Sequence, residues 1–112
     1  MTERMRRVDT AVRQVLGDAL SQDLKDPRVG FVTVTDVSTS PDLRHARVYV
    51  SILGTPAEQE ASLEGLRSAH GFLQSRVARQ LRLKNTPELD FILDDTAEKA
   101  FRVERLLEGE DA

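Results

Sequence analysis

Met5, Val8, Val12, Val15, Leu16, Ala19 and Leu20 recur three and four positions apart, the spacing that lines one side of an α-helix. The periodicity predicts a single amphipathic helix over residues 3–24, with Glu3 in its first turn. Asp26-Pro27-Arg28 ends it, because proline disfavours helical geometry in the residue before it and has no N–H to continue the ladder. The period then falls to two. Phe31 to Val37 is dense in β-branched residues, and Ala46, Val48, Val50 and Ile52 alternate with Arg47, Tyr49 and Ser51. These segments predict two strands joined as a hairpin through Thr39-Ser40-Pro41-Asp42.

Helical spacing returns after Gly54. Thr55 stands as N-cap, Pro56 at the first helical position and Glu58 as the closing residue of a capping box, so a second helix is expected to about Arg67. Ser68-Ala69-His70-Gly71 interrupts the pattern with a glycine that costs about 1 kcal/mol relative to alanine inside a helix, which predicts a kink or break before a third helix over Phe72 to Leu83. Leu89 to Leu93 reads as a short strand. Val103, Leu106 and Leu107 share a stripe that suggests a last helix, which Asp94-Asp95 is expected to cap. Strands joined through a helical crossover lie parallel in one sheet, so the order predicts an α+β domain with a small mixed three-stranded sheet and helices on one face.

Composition narrows the function by exclusion. The chain has 112 residues, 39% of them hydrophobic, enough for one domain around a single core. Cysteine is absent, which removes disulfides, thiolate nucleophiles and cysteine zinc sites and suits a reducing, cytoplasmic setting. No apolar run approaches the ~18 residues of a membrane span, so no membrane partner is expected. His45 and His70 are the only histidines and have no helical ligand spacing; the glycines form no phosphate loop or dinucleotide fingerprint. Neither a metal, a cofactor nor a catalytic group is indicated.

Charge is segregated along the chain. The net charge is −3, yet Arg67, Arg76, Arg79, Arg82 and Lys84 fall in a stretch to Pro87 that holds no acid, while Glu88 to Ala112 carries nine acids against three bases. At 100° per residue, Leu73, Val77 and Leu81 gather on one side of the third helix, and Arg76, Arg79 and Arg82 form an arc centred roughly opposite. Either this is a solvated face or it meets a polyanion; the lack of interspersed acids favours the polyanion. Phe72 and Leu83 project near the centre of the arc, as core or as a stacking surface. A glycine beside a helix start lets a sugar-phosphate backbone approach the main chain and its N–H groups. Arg4, Arg6, Arg7, Arg44 and Arg47 are candidates to widen the basic surface, although strand alternation makes Arg47 simply the outward side of its strand.

Three segments carry a family likeness: Asp26-Pro27-Arg28-Val29-Gly30-Phe31-Val32-Thr33-Val34-Thr35-Asp36-Val37, then Ser40-Pro41-Asp42-Leu43-Arg44-His45-Ala46-Arg47-Val48-Tyr49-Val50-Ser51, and Ser68-Ala69-His70-Gly71-Phe72-Leu73. Through them the chain resembles ribosome-binding factor A, a bacterial assembly factor for the small ribosomal subunit. The resemblance implies a type II KH fold over residues 1–96, in the order α-β-β-α-kink-α-β, followed by an acidic tail over 97–112 that is a short helix or partly disordered. It implies that Ala69, His70 and Gly71 take the place of the GXXG loop of KH domains. It further implies a non-catalytic monomer without cofactors. Such a protein binds the free 30S subunit, assists late maturation and processing of 16S rRNA near its 5′-terminal helix, and leaves before translation. Other assembly factors or ribosomal proteins are further partners to expect. By the same likeness Gln74 stands where an arginine is expected. The RNA-binding set is then Ala69, His70, Gly71, Arg76, Arg79, Arg82, Lys84, Arg4, Arg6 and Arg7. The competing readings are a protein-interaction module that docks an acidic partner, and a small metabolite-binding or enzymatic subunit.

Overall fold

The apolar stripe that predicts the first helix is buried almost in full: Val8, Val12, Val15, Leu16 and Ala19 face inward from α1 (Glu3–Gln22). A computed structural model describes residues 2–22 and 27–94, so the end of the predicted helix, the last helix and the acidic tail lie outside the described residues. The remaining elements are β1 (Val32–Thr39), β2 (His45–Ile52), α2 (Pro56–Ser68), α3 (His70–Leu81) and β3 (Glu88–Leu93). The sheet order is β1-β2-β3, with β1 antiparallel to β2 and β2 parallel to β3. This is the mixed α+β arrangement that the KH order requires. Val12 and Leu16 of α1, Val48 and Val50 of β2, Leu66 of α2, Leu73 and Val77 of α3 and Phe91 of β3 form one core. The other face of the sheet leaves Thr33, Arg47 and Asp90 exposed, as the alternation of β2 predicts for Arg47.

β1 starts one residue later and ends two residues later than the predicted 31–37, and it contains a bulge. Val34 pairs with Val50 and Asp36 with Tyr49, leaving Thr35 as the extra residue. Without the bulge, Val34 and Val37 would point to opposite faces, being an odd number of positions apart; with it both are buried. Thr35 Oγ1 donates to Asp94 Oδ2 at 2.7 Å and lies 3.2 Å from the Tyr49 carbonyl, so the bulge is tied to the end of β3. The sequence casts Asp94 as a cap for the final helix; within the described residues it serves this tie. Phe31, predicted as a strand residue, precedes β1 and is 74% exposed.

The capping box forms as expected. Thr55 Oγ1 accepts from Glu58 N at 3.2 Å, and Glu58 Oε1 accepts from Thr55 N at 3.0 Å. Hydrogen bonds to the Glu58 carboxyl, from the Thr55 backbone first and the Thr55 hydroxyl second, hold it below its usual value. Gly54 makes the turn into the cap at φ +134°, a conformation side chains resist. In the β1–β2 turn, Ser40 Oγ and Arg44 N both donate to Asp42 Oδ1, and these bonds, the Ser40 hydroxyl first, lower the Asp42 carboxyl. Among the described residues no helix is long and apolar enough to cross a membrane, and no cluster of His, Asp or Glu could hold a metal ion.

Candidate nucleic-acid interface

The predicted interruption between the helices contracts to one residue. α2 runs to Ser68 and α3 starts at His70, so Ala69 alone lies between them, at φ −87° and ψ 9°. Its N–H donates to the Gly65 and Leu66 carbonyls at 3.0 and 3.1 Å, and its own carbonyl accepts from Leu73 N at 3.0 Å. The bend therefore sits at Ala69, and Gly71 is the second residue of α3, which begins two positions before the predicted start at Phe72. Ala69 offers no side-chain cap to α3, so the first-turn amides lack a side-chain acceptor at the N-cap and are the donors an anion would meet.

Gly71 is exposed. A β-carbon built there would meet nothing within 4 Å, and its φ is not in the left-handed region. Neither backbone geometry nor packing within the described residues requires a glycine at this position. Ala69 and His70 are half-buried beside it.

Along α3, Leu73 and Val77 are buried while Phe72, Arg76 and Arg79 occupy positions i, i+4 and i+7 of another face. Phe72 is 39% exposed, and the Arg76 guanidinium carbon stands 5.1 Å from its ring centroid. Arg79, Arg82 and Lys84 are exposed and have no acidic partner among the described residues. α3 ends at Leu81, two residues short of the prediction, because Arg82 adopts a left-handed C-cap at φ 50° and ψ 38°. The change of direction sends Leu83 back against the core, which assigns it to packing; of the two apolar residues on the arc, Phe72 remains outward.

The basic residues of α1 divide. Arg4 lines a cleft of about 180 Å³ together with Pro41, Asp42 and Leu43 of the β1–β2 turn and Leu83, Lys84 and Asn85 after α3. It thus extends the α3 surface around one end of the molecule. Arg6 and Arg7 line a separate groove with Glu3, Thr10 and Gln14, and Arg7 pairs with Glu3 at 3.5 Å. Arg44 is exposed in the turn.

Gln74 has a role that the sequence does not disclose. Its Nε2 donates to the Pro87 carbonyl at 2.7 Å, and its Oε1 accepts from Leu89 N at 3.0 Å. Both groups belong to the outer edge of the chain entering β3, so the amide imitates a neighbouring strand. A guanidinium, which has no acceptor, could not make the second bond.

Structures of other proteins share this fold. A solution NMR structure of a candidate ribosome binding factor A from Thermotoga maritima is 41% identical, with a TM-score of 0.73 over 80% of this chain and 86% of that one. The crystal structure of ribosome-binding factor A from Thermus thermophilus is 28% identical, with a TM-score of 0.71 over 80% and 93%. A homology model of the Thermus thermophilus factor, as fitted into the cryo-EM map of its 30S complex, is 29% identical, with a TM-score of 0.65 over 78% and 91%. The family model for ribosome-binding factor A matches residues 4–107, nearly the whole chain. With the fold and this match in agreement, the chain belongs to the ribosome-binding factor A family.

Proposed function

We propose that this chain is a non-catalytic assembly factor that binds the free 30S subunit in the cytoplasm as a monomer and assists late maturation and processing of 16S rRNA, near its 5′-terminal helix. The family membership and the 30S complex of the Thermus thermophilus factor support the partner. The observation that carries the RNA contact is Gly71: an exposed glycine inside a helix, with open space where a side chain would stand. A ligand that approaches the backbone accounts for it, and the adjoining cations say that the ligand is anionic.

In this reading Ala69, His70 and Gly71 admit a sugar-phosphate strand, Arg76, Arg79, Arg82 and Lys84 grip phosphates, and Arg4 extends the grip around the end of α3. Arg6 and Arg7 add long-range attraction from their separate groove. Replacing Arg76 and Arg79 together by alanine is expected to weaken binding to purified 30S subunits and to lower the salt dependence of log K by about 1 for each phosphate no longer gripped. An unchanged slope would remove this surface from the interface. Binding that survives complete ribonuclease digestion of the subunit would favour an acidic protein partner instead.

A further inference from the structure

Phe72 is the residue of α3 whose placement the fold does not explain. Leu73 and Val77 supply the helix's core contacts with no exposure, while Phe72 lies outside the core and keeps 39% of its surface in water. Its ring is held in position by Arg76, one helical turn on, whose guanidinium stands 5.1 Å from the ring centroid and covers one side. The preceding residue, Gly71, leaves open space on the helix surface, since a β-carbon built there would meet nothing within 4 Å beyond its own helix and chain neighbours. An oriented, part-exposed aromatic therefore shares a helical face with Arg76 and Arg79, within a stretch of sequence that holds no acid.

We infer that Phe72 and Arg76 form a stacking shelf for one unpaired RNA base, whose flanking phosphates lie on Gly71 and Arg79. The chemistry selects this ligand: the surface calls for a planar apolar group joined to negative charge, and a nucleotide of a single strand presents both. A base locked in a duplex does not expose its face, so the shelf reads strandedness and tolerates any base. The inference rests on the RNA-binding reading above, and adds to it a contact between a base and the Phe72 ring that neutralises no phosphate.

That difference separates the tests. The probes are a decamer of adenosine carrying one 2-aminopurine and a decamer of the same length whose sugars are abasic. The chain has no tryptophan and one tyrosine, so 2-aminopurine fluorescence is read against a dark protein. The base-bearing decamer is expected to bind more tightly than the abasic one, with quenching of 2-aminopurine. Phe72→Leu is expected to weaken the base-bearing decamer by about five- to a hundredfold, to abolish the quenching, and to leave both the abasic decamer and the salt slope unchanged. Phe72→Trp, which offers a larger ring at the same exposed position, is expected to restore binding and quenching. Equal binding of the two decamers by the native chain, or a Phe72→Leu variant that binds both as the native chain does, overturns the shelf and leaves the phosphate grip standing. Binding of neither decamer overturns both.

Discussion

Gly71 separates what the fold needs from what a ligand needs. Alanine at this position would meet no atom within 4 Å, and it has the higher helical propensity. Gly71→Ala is therefore expected to raise stability by about 0.5–1 kcal/mol in chemical denaturation while it weakens 30S binding, because the methyl group would stand where the proposed contact brings the sugar-phosphate strand. Loss of stability on this change would mean that the glycine serves packing. The position is legible in the sequence as an oddity within a helical pattern, and the acid-free run of cations gives it a meaning. Other single residues are not legible. Asp9, on the buried side of α1, accepts hydrogen bonds through Oδ1 from Thr39 N at 2.9 Å and from the Thr39 hydroxyl, while its Oδ2 is buried without a partner among the described residues. Nothing in the pattern around Asp9 marks it as other than a solvated carboxylate, since its partner stands 30 positions away. Gln74 is hidden for the same reason: its partners, Pro87 and Leu89, belong to the other end of a connection whose path the sequence does not declare.

At the scale of elements, local signals hold wherever the chemistry is local. The Thr55, Pro56 and Glu58 positions specify the start of α2, and the capping box is formed in both directions. It has a consequence for acid stability. The Glu58 carboxyl is held below its usual value near 4.5, so its ionised form contributes stability that is fully present above that value and is lost as the pH falls through the lower folded one. The stability difference between the native chain and Glu58→Gln, followed by thermal melts, is expected to stay level from neutral pH to about 4.5 and to shrink below it. Asp42, lowered in the same sense, is common to both proteins and cancels from the comparison. Element ends are less legible. The bulge at Thr35 depends on what each valine of β1 meets across the sheet, and the end of α3 depends on Arg82 entering a left-handed conformation that the sequence signals only when glycine or asparagine occupies it.

Across the whole molecule, a few polar ties sew distant parts of the chain around the apolar core. Ser62 Oγ accepts from Gly30 N at 3.1 Å and lies 3.2 Å from the Arg28 carbonyl, joining α2 to the entry of β1. Thr35 reaches Asp94, and Gln74 fastens α3 to the approach of β3. Gln74→Leu keeps most of the side-chain volume but leaves the Leu89 N–H and the Pro87 carbonyl without this amide. Unfolding in urea is expected to show a loss of about 1–3 kcal/mol, larger than for Gln80→Leu on the exposed side of the same helix. Equal losses would mean that the tie contributes nothing. The architecture is readable because helix and strand periods alternate in an order with few topological solutions. The surface is readable only in outline: the sequence places Phe72 and the arginines on one arc, but it cannot tell that Leu83 turns inward or that Arg4 and Arg6 line different grooves.

The meeting of α2 and α3 at Ala69 has a mechanical consequence. Its amide and carbonyl are both engaged, one in each helix, so swinging one helix against the other at this residue strains a backbone hydrogen bond. In the RNA complex proposed above, adjustment would then fall on the nucleic acid, and segments still pliable enough to bend onto the helix pair would be favoured.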